Sequence, residues 1–308
     1  MLTGLINLIE PPSLDSIDEC QRLFHGRGRV FEGFNFINVD WFSPVVFIVL
    51  YQQVDEVGLS SFAQTLMQKI PACESVKVQH RYLPRARIDL LAGKEVERLE
   101  ASEHGLKYFI EFGAAQNLGL FLDMSNGRKW VMQHAKHKKI LNLFSFTCGF
   151  SVAGLAGGAS QVVNIDNNNG VLKRGKDNHR LNDLDMRAAS FEKLDIFKSF
   201  GRIKKYGPYD MLICDPPTFQ QGSVDIRRDY GKIIRRIPQW ISPQGQVVLC
   251  LNSPDLTDTF LFDAIDEHCP ECKLESKINP PDIFKEAEEG RGLKVLVFRY
   301  KPDMDVSH

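Results

Sequence analysis

Ile140-Leu141-Asn142-Leu143-Phe144 is a short apolar run that gives way to Ser145-Phe146-Thr147-Cys148-Gly149. An apolar run of strand length broken by small and polar residues reads as a buried strand ending in a tight turn. Phe150 to Ala156 continues as a short helix, stopped by the permissive backbone of Gly157-Gly158. Gln161-Val162-Val163-Asn164-Ile165 is a second, β-branched run that closes on Asp166. Strand, turn, helix and strand make one βαβ unit with a carboxylate at the second strand's tip.

An acid at that tip can accept hydrogen bonds from both ribose hydroxyls of a nucleotide held over the first turn. Asp166 follows Gly149 by 17 residues, near the roughly 20 of a dinucleotide fingerprint. The turn lacks the rest of that fingerprint, because no second glycine lies between Ser145 and Gly149. A pyrophosphate therefore has no cradle, and a nucleoside cofactor without phosphate, such as S-adenosylmethionine, suits the turn better. On the turn alone, a plain buried βαβ unit with a charged strand end accounts for these residues equally well.

Tyr209 to Cys214 is another apolar strand, and it ends in Asp215-Pro216-Pro217-Thr218-Phe219. Two prolines lack N–H groups and fix their own φ, so the chain leaves the sheet in a stiff direction with free carbonyls. Asp215 and those carbonyls can accept hydrogen bonds from a base edge, and Phe219 offers a stacking face. Pro-Pro after a strand is common as a mere turn; an Asp-Pro-Pro-Xaa-aromatic run one repeat beyond a ribose-type acid is much less so.

Asn142 to Thr147, Asp166, Asp215 to Phe219 and the upstream Phe121-Leu122-Asp123 together resemble the Rossmann-type, S-adenosylmethionine-dependent methyltransferases that modify bacterial 23S ribosomal RNA. The resemblance runs from about Leu106 to Tyr300. It is nearest to the branch containing the guanine-N7 methyltransferase half of a bifunctional enzyme, and a related branch methylates cytosine carbon-5. It implies an α/β fold: a Rossmann-like, mainly parallel, seven-stranded sheet with an antiparallel last strand and helices on both faces. It also implies that Phe121, Asp123 and Arg128 close over the methionine end of the cofactor, with Phe144, Ser145, Thr147 and Gly149 in the turn. Asp166 and Asn167 then lie at the ribose, Asp195 at the adenine amino group, and Asp215 between cofactor and substrate. Asp215, Pro216, Pro217, Phe219 and Asn252 would face the target base, with RNA as partner and no metal.

The residues also bear on which atom is methylated. Cytosine carbon-5 is not nucleophilic and calls for a thiolate that attacks the ring first. In the cytosine branch that cysteine is expected where this chain has Asn252; Cys250 lies two residues earlier, in the apolar run Gln246 to Leu251. Asn252 favours a nitrogen acceptor, and Cys250 reads as a buried core thiol.

At 308 residues and 43% apolar composition the chain can build one large α/β domain and a smaller appendage. The charged stretch Glu95 to Glu103 places the boundary near residue 105, giving a small N-terminal α/β domain over 1–105 and the methyltransferase domain over 106–308. No apolar run is long enough to span a bilayer and no cleavable leader is evident, which predicts a cytoplasmic protein. The net charge of −1 argues neither for nor against nucleic acid, since RNA enzymes can act through local patches, and it weakens the RNA case compared with a basic chain. The seven cysteines read as reduced and buried, and Cys269-Pro270-Glu271-Cys272 lacks the further soft ligands of a structural zinc.

Within the first domain, the residues predict a short helix over Asp15 to Phe24 with Ser13 as cap, and strands over Phe34 to Val39 and Val45 to Tyr51. A helix over Leu59 to Ile70 and strands over Val76 to Tyr82 and Ile88 to Leu91 follow. His25 to Arg29, His80-Arg81-Tyr82 and Arg85 to Arg87 are either solvated surface or contacts to RNA. The same alternatives hold for Arg228, Lys232, Arg235 and Arg236 on a helix from Arg227 to Trp240. Rival readings are a methyltransferase acting on DNA, protein or a small molecule, a nicotinamide-linked oxidoreductase, and a non-catalytic RNA-binding module.

Overall fold

Residues 2–113, 117–217, 219–220 and 224–302 are described by the structure, a computed structural model, without the side chains of Thr3, Phe219, Gln220 and Val224. Two units are distinct: Met1–Leu122 with Pro281–Glu289, and Asp123–Pro280 with Gly290–His308.

In the first unit a short helix α1 (Leu2–Leu5) precedes strands β1 (Gln21–His25), β2 (Ile37–Phe42), β3 (Val45–Leu50), β4 (Ser75–His80) and β5 (Ile88–Gly93). They form one sheet in sequence order, with only the β3–β4 pair parallel. Helix α2 (Glu56–Lys69) supplies that crossover, its first turn capped by Asp55, which accepts the Gly58 N–H at 2.6 Å. Leu59, Phe62, Ala63 and Leu66 form its buried stripe and pack with Trp41, Val46, Ile48, Val76 and Val78.

The helix expected over Asp15 to Phe24 is instead a single 3-10 turn, Leu14–Ser16, followed by β1. Ser13 makes no side-chain cap, and the antiparallel ladder to β2, with Phe24 opposite Val39, overrides weak local helix preference. The boundary placed near residue 105 falls in the turn of a hairpin, β6 (Arg98–Glu103) with β7 (Leu106–Glu111). Its charges hide a two-residue alternation, and Glu19 anchors it by accepting from Ser102 Oγ at 2.9 Å and the His104 N–H at 2.6 Å.

Residues 281–289 also belong to this unit. Phe284 lies under the Arg22 guanidinium at 4.7 Å, and the Ala287 N–H donates to Gly28 O at 2.7 Å. A Cβ at Gly28 would sit 2.0 Å from Lys285 O, so this approach requires glycine.

The second unit contains helix α3 (Ser125–His134), β8 (Lys139–Leu143), α4 (Gly149–Ala156), β9 (Gln161–Asp166), α5 (Asn169–Leu181) and β10 (Ala189–Lys193). Helix α6 (Phe200–Tyr206), β11 (Tyr209–Cys214), β12 (Phe219–Gln220), β13 (Val224–Asp225), α7 (Ile226–Ile234) and α8 (Ile237–Trp240) follow. The chain continues with β14 (Ile241–Leu251), α9 (Thr259–His268), β15 (Cys272–Ile278) and β16 (Lys294–Tyr300). The expected seven-stranded sheet is present in the order β10-β9-β8-β11-β14-β16-β15, with β16 antiparallel to both neighbours. Alternation divides its two faces: Leu141, Leu143, Val163, Leu212 and Val247 enter one core, and Ile140, Val162, Met211, Ile213 and Val248 the other. One local reading shifts. The helix expected to reach Trp240 breaks after Ile234, with Pro238 at the start of α8, and Ser242 to Gly245 lie in an irregular start of β14, where pairing shifts between Tyr209 and Met211. All seven cysteines are buried thiols, with Cys269 and Cys272 Sγ atoms 3.6 Å apart.

A buried polar chain crosses this unit. Asn142 Nδ2 donates to Asn164 Oδ1 at 2.9 Å, Asn164 Nδ2 to Ser151 Oγ at 2.9 Å, and Ser151 Oγ meets His179 Nε2 at 2.8 Å. His179 Nδ1 lies 2.7 Å from Gly175 O, which fixes the neutral ring with its proton on Nδ1 and Nε2 accepting from Ser151. Burial lowers the His179 pKa below its ordinary value, so the unfolded chain binds the extra proton as pH drops. Stability held by this group should therefore be complete above about pH 6.5 and decline below it. Urea midpoints compared at pH 7.5 and 5.5 should fall further for the wild type than for His179→Gln.

Candidate functional site

Five adjacent parallel strands end at the same edge, in the order β10, β9, β8, β11 and β14. Their carboxyl ends carry in turn Asp195, Asp166, the 144–148 turn, Asp215 and Asn252. The order reverses between β8 and β11, and such a switch point is where open α/β sheets bind ligands.

The turn after β8 is strained. Phe144, Phe146 and Cys148 have φ of 55°, 47° and 63°, left-handed values that persist only when surroundings over-determine them. Here they do. The Ser145 N–H donates to Ile165 O at 3.0 Å, the Cys148 N–H to Ser145 O at 2.7 Å, and Asn178 Nδ2 to Thr147 O at 3.0 Å. Asp166 accepts the Phe146 N–H on one carboxylate oxygen at 3.0 Å and the Asn168 N–H on the other at 2.9 Å. Burial raises its pKa while those N–H groups pull it back. Helix α5 packs so closely that a Cβ at Gly175 would lie 2.4 Å from Cys148 Sγ.

Asp195 caps the short turn Ile196–Lys198, accepting the Phe197 N–H at 3.0 Å, and remains exposed. Phe197 lies 6.2 Å from Phe144 between ring centres. Asn167 and Asn168 are exposed, and Asn168 caps α5.

Across the switch point, burial pushes Asp215 up to about 7; the Asp123 carboxylate adds to the rise and the Arg128 guanidinium opposes it. Arg128 is buried on α3, and Asn252 Nδ2 reaches Asp123 Oδ2 at 3.5 Å. Asp123, Arg128, Asp215 and Asn252 therefore gather at one point. Pro216 is buried and Pro217 exposed. Phe219 pairs through its backbone with Asp225 in the β12–β13 hairpin; Thr218 and the Phe219 side chain lie outside the described residues. Phe121 belongs to the first unit and is 43% exposed.

Two residues that shape this edge went unread in the sequence. Tyr230 of α7 donates its hydroxyl toward Cys250 O at 2.9 Å and Cys214 O at 3.3 Å, tying β11 to β14 just below Asp215 and Asn252. Lys294, buried in β16, donates to Ser253 O at 2.6 Å and Gly290 O at 2.9 Å. A lone lysine in the apolar run Leu293 to Val297 was the available signal, since a buried ammonium must find acceptors. Cys250 is fully buried, and burial with nearby Asp215 raises its pKa well above the usual thiol value. It stays protonated and is a poor nucleophile.

The basic helix face is largely spoken for. Arg228 and Lys232 both contact the buried Asp229 at 2.8 Å, which holds its pKa well below normal, and Arg236 lies 4.8 Å over Phe200.

A family model for S-adenosylmethionine-dependent methyltransferases matches residues 21–299. The chain is 34% identical over 168 residues to "Ribosomal RNA large subunit methyltransferase I" of Enterobacter sp. strain 638, covering 53% of this chain and 42% of that protein. It is 28% identical over 240 residues to the protein of that name in Tolumonas auensis, covering 74% and 60%. The chain thus spans about half the length of these relatives. A solved methyltransferase complexed with SAH superposes with a TM-score of 0.85 at 22% identity, over 97% of this chain and 81% of that one.

Carboxylate titration followed by carbon NMR should give Asp215 a midpoint near 7. Arg128→Met should move it upward and Asp123→Asn downward, because each removes one of the charges acting on it.

Proposed function

The chain belongs to the S-adenosylmethionine-dependent methyltransferases, and from that premise we propose that it methylates a base of ribosomal RNA, at a nitrogen rather than at cytosine carbon-5. It is a methyltransferase and its cofactor is S-adenosylmethionine, which supplies a methyl carbon made electrophilic by the adjoining sulfonium.

The strand-end edge suits that cofactor. Ser145 Oγ is buried without a well-formed hydrogen bond among the described residues, and such an atom favours an external polar partner. Asp166 accepts the Phe146 N–H of the turn on one oxygen and the Asn168 N–H on the other, and a carboxylate has lone pairs beyond these two for ribose hydroxyls. Asp195 sits two strands from the turn, suited to an exocyclic adenine amino group, with Phe197 beside it; Asn167 adjoins Asp166. Asp123 and Arg128 serve the amino-acid end, Arg128 for a carboxylate, and Phe121 is assigned there by resemblance.

On the acceptor side, in-line displacement asks the protein chiefly to position a nucleophile and exclude water. Asp215 and the carbonyls of Pro216 and Pro217 can hold a base edge, Asn252 can bind it with an amide, and Phe219 is the stacking partner for an unstacked base. A ring nitrogen brings its own lone pair and needs no thiolate. The single observation that carries nitrogen over carbon-5 is the pairing of Asn252 with Asp123 at the strand end, where ring attack would require a thiol. The RNA substrate rests on the names of the relatives.

Ribosomal RNA and ribosomal particles incubated with protein and methyl-labelled cofactor, then digested and analysed by mass spectrometry, should show label on a nitrogen of a base. Label in 5-methylcytosine, with activity abolished by Cys250→Ala in a folded protein, would overturn the assignment. Asp166→Ala should weaken S-adenosylhomocysteine binding in calorimetry by about 1–3 kcal/mol, the worth of a hydrogen bond to a charged group.

A further inference from the structure

One end of the first unit's sheet collects arginine. His25 pairs with Asn38, Ile37 with Leu50, and Leu50 with His80, while the His80 N–H donates to Arg87 O at 2.8 Å. This register sets the loop after β1, the exits of β3 and β4 and the entry to β5 side by side. The segments carry Arg27, Arg29, Tyr51, Arg81, Arg85 and Arg87. Five cations at one sheet end contrast with a chain whose net charge is −1.

Tyr51 organises two of them. Arg27 Cζ lies 4.5 Å and Arg81 Cζ 6.0 Å from its ring centre. Arg27 is fixed further by its backbone N–H on Asn38 Oδ1 at 3.2 Å and its guanidinium on Asn35 O at 3.5 Å. Arg81 reaches Gln79 Oε1 and Asn117 Oδ1, each at 3.2 Å. Neutral acceptors and an aromatic face hold the Arg27 guanidinium without cancelling its charge, and its planar fork suits phosphate oxygens. Asp89 pairs with Arg87 at 2.6 Å and also faces His80 Nε2 at 3.1 Å, and Glu288 lies 3.9 Å from Arg29. Arg27 and Arg85 are exposed. The chain leaving Tyr51, Gln52 to Asp55, borders a cleft of about 420 Å³ floored by Ile6 and Phe62, an apolar recess with amides at its rim.

We propose that Arg27, Tyr51 and Arg81, with Arg85, form a phosphate clamp for single-stranded RNA, built into the N-terminal sheet. The choice of RNA rests on the methyl-transfer reading; the clamp rests on the geometry. Guanidinium planes and an aromatic ring suit a strand with exposed bases better than a duplex, whose bases are already stacked.

The test is fluorescence anisotropy of a labelled single-stranded oligoribonucleotide against the full chain over a salt series. Arg27→Ala/Arg81→Ala should reduce the slope of log affinity against log salt by about 1.4, from about 0.7 per lost phosphate contact on a single strand. Tyr51→Phe should bind like wild type, and Tyr51→Ala about two- to fivefold more weakly, as expected for an exposed cation–π contact. Arg85→Glu, at an exposed position, should weaken binding without changing the melting temperature. An unchanged slope in the double variant with an unchanged melting temperature would overturn the clamp, as would tighter wild-type binding to duplex DNA. Wild-type protein that binds RNA but methylates none of it would defeat the methyl-transfer reading alone. Full RNA affinity in the double variant beside normal methylation would defeat the clamp alone.

Discussion

The carboxylate of Asp166 is the joint on which the site is built. One oxygen holds the turn that leaves β8 and the other holds the chain that enters α5, so two neighbouring strand ends share a single anchor. Left-handed φ at three residues of that turn costs on the order of 1–3 kcal/mol each, and a loop free to relax would discard it. It is retained because the turn is gripped from three sides: by Asp166, by Asn178 and by the close pass of Gly175 over Cys148.

On the other side of the switch point the design is electrostatic. Asp215, Asp123 and Arg128 form a group in which one buried cation partly offsets two carboxylates. The Tyr230 hydroxyl keeps the two supporting strand ends in register, and Lys294 does the same for the loop after Asn252. Both hold backbone carbonyls, so geometry here is set by main chain, and the side chains above are left for chemistry.

How much of this the sequence disclosed follows the range of the forces involved. The βαβ unit and the strand ending in Asp215 are continuous apolar runs, and their pairing in a parallel sheet requires little beyond short connections. Asp166 and Asp215 were legible as strand-end residues because strand ends follow directly from strands, and Asn252 was named through the family resemblance. β1 was misread because its partner β2 decides its state, and β6 because its alternation is carried by charged residues. The Asn142–Asn164–Ser151–His179 chain, Tyr230 and Lys294 join residues far apart in sequence, and no window of residues contains both ends of such a bond. The arginine cluster was visible as three separate basic segments; the register of β1 to β5 is what makes them neighbours.

The return of residues 281–289 to the first unit has a consequence for synthesis. A chain emerging from the ribosome has made every strand of the N-terminal sheet long before Phe284 exists, so the seat beneath Arg22 stays open while Asp123–Pro280 of the second unit is translated. The sheet's final closure is a late event, and no single cut in the gene separates one unit intact from the other.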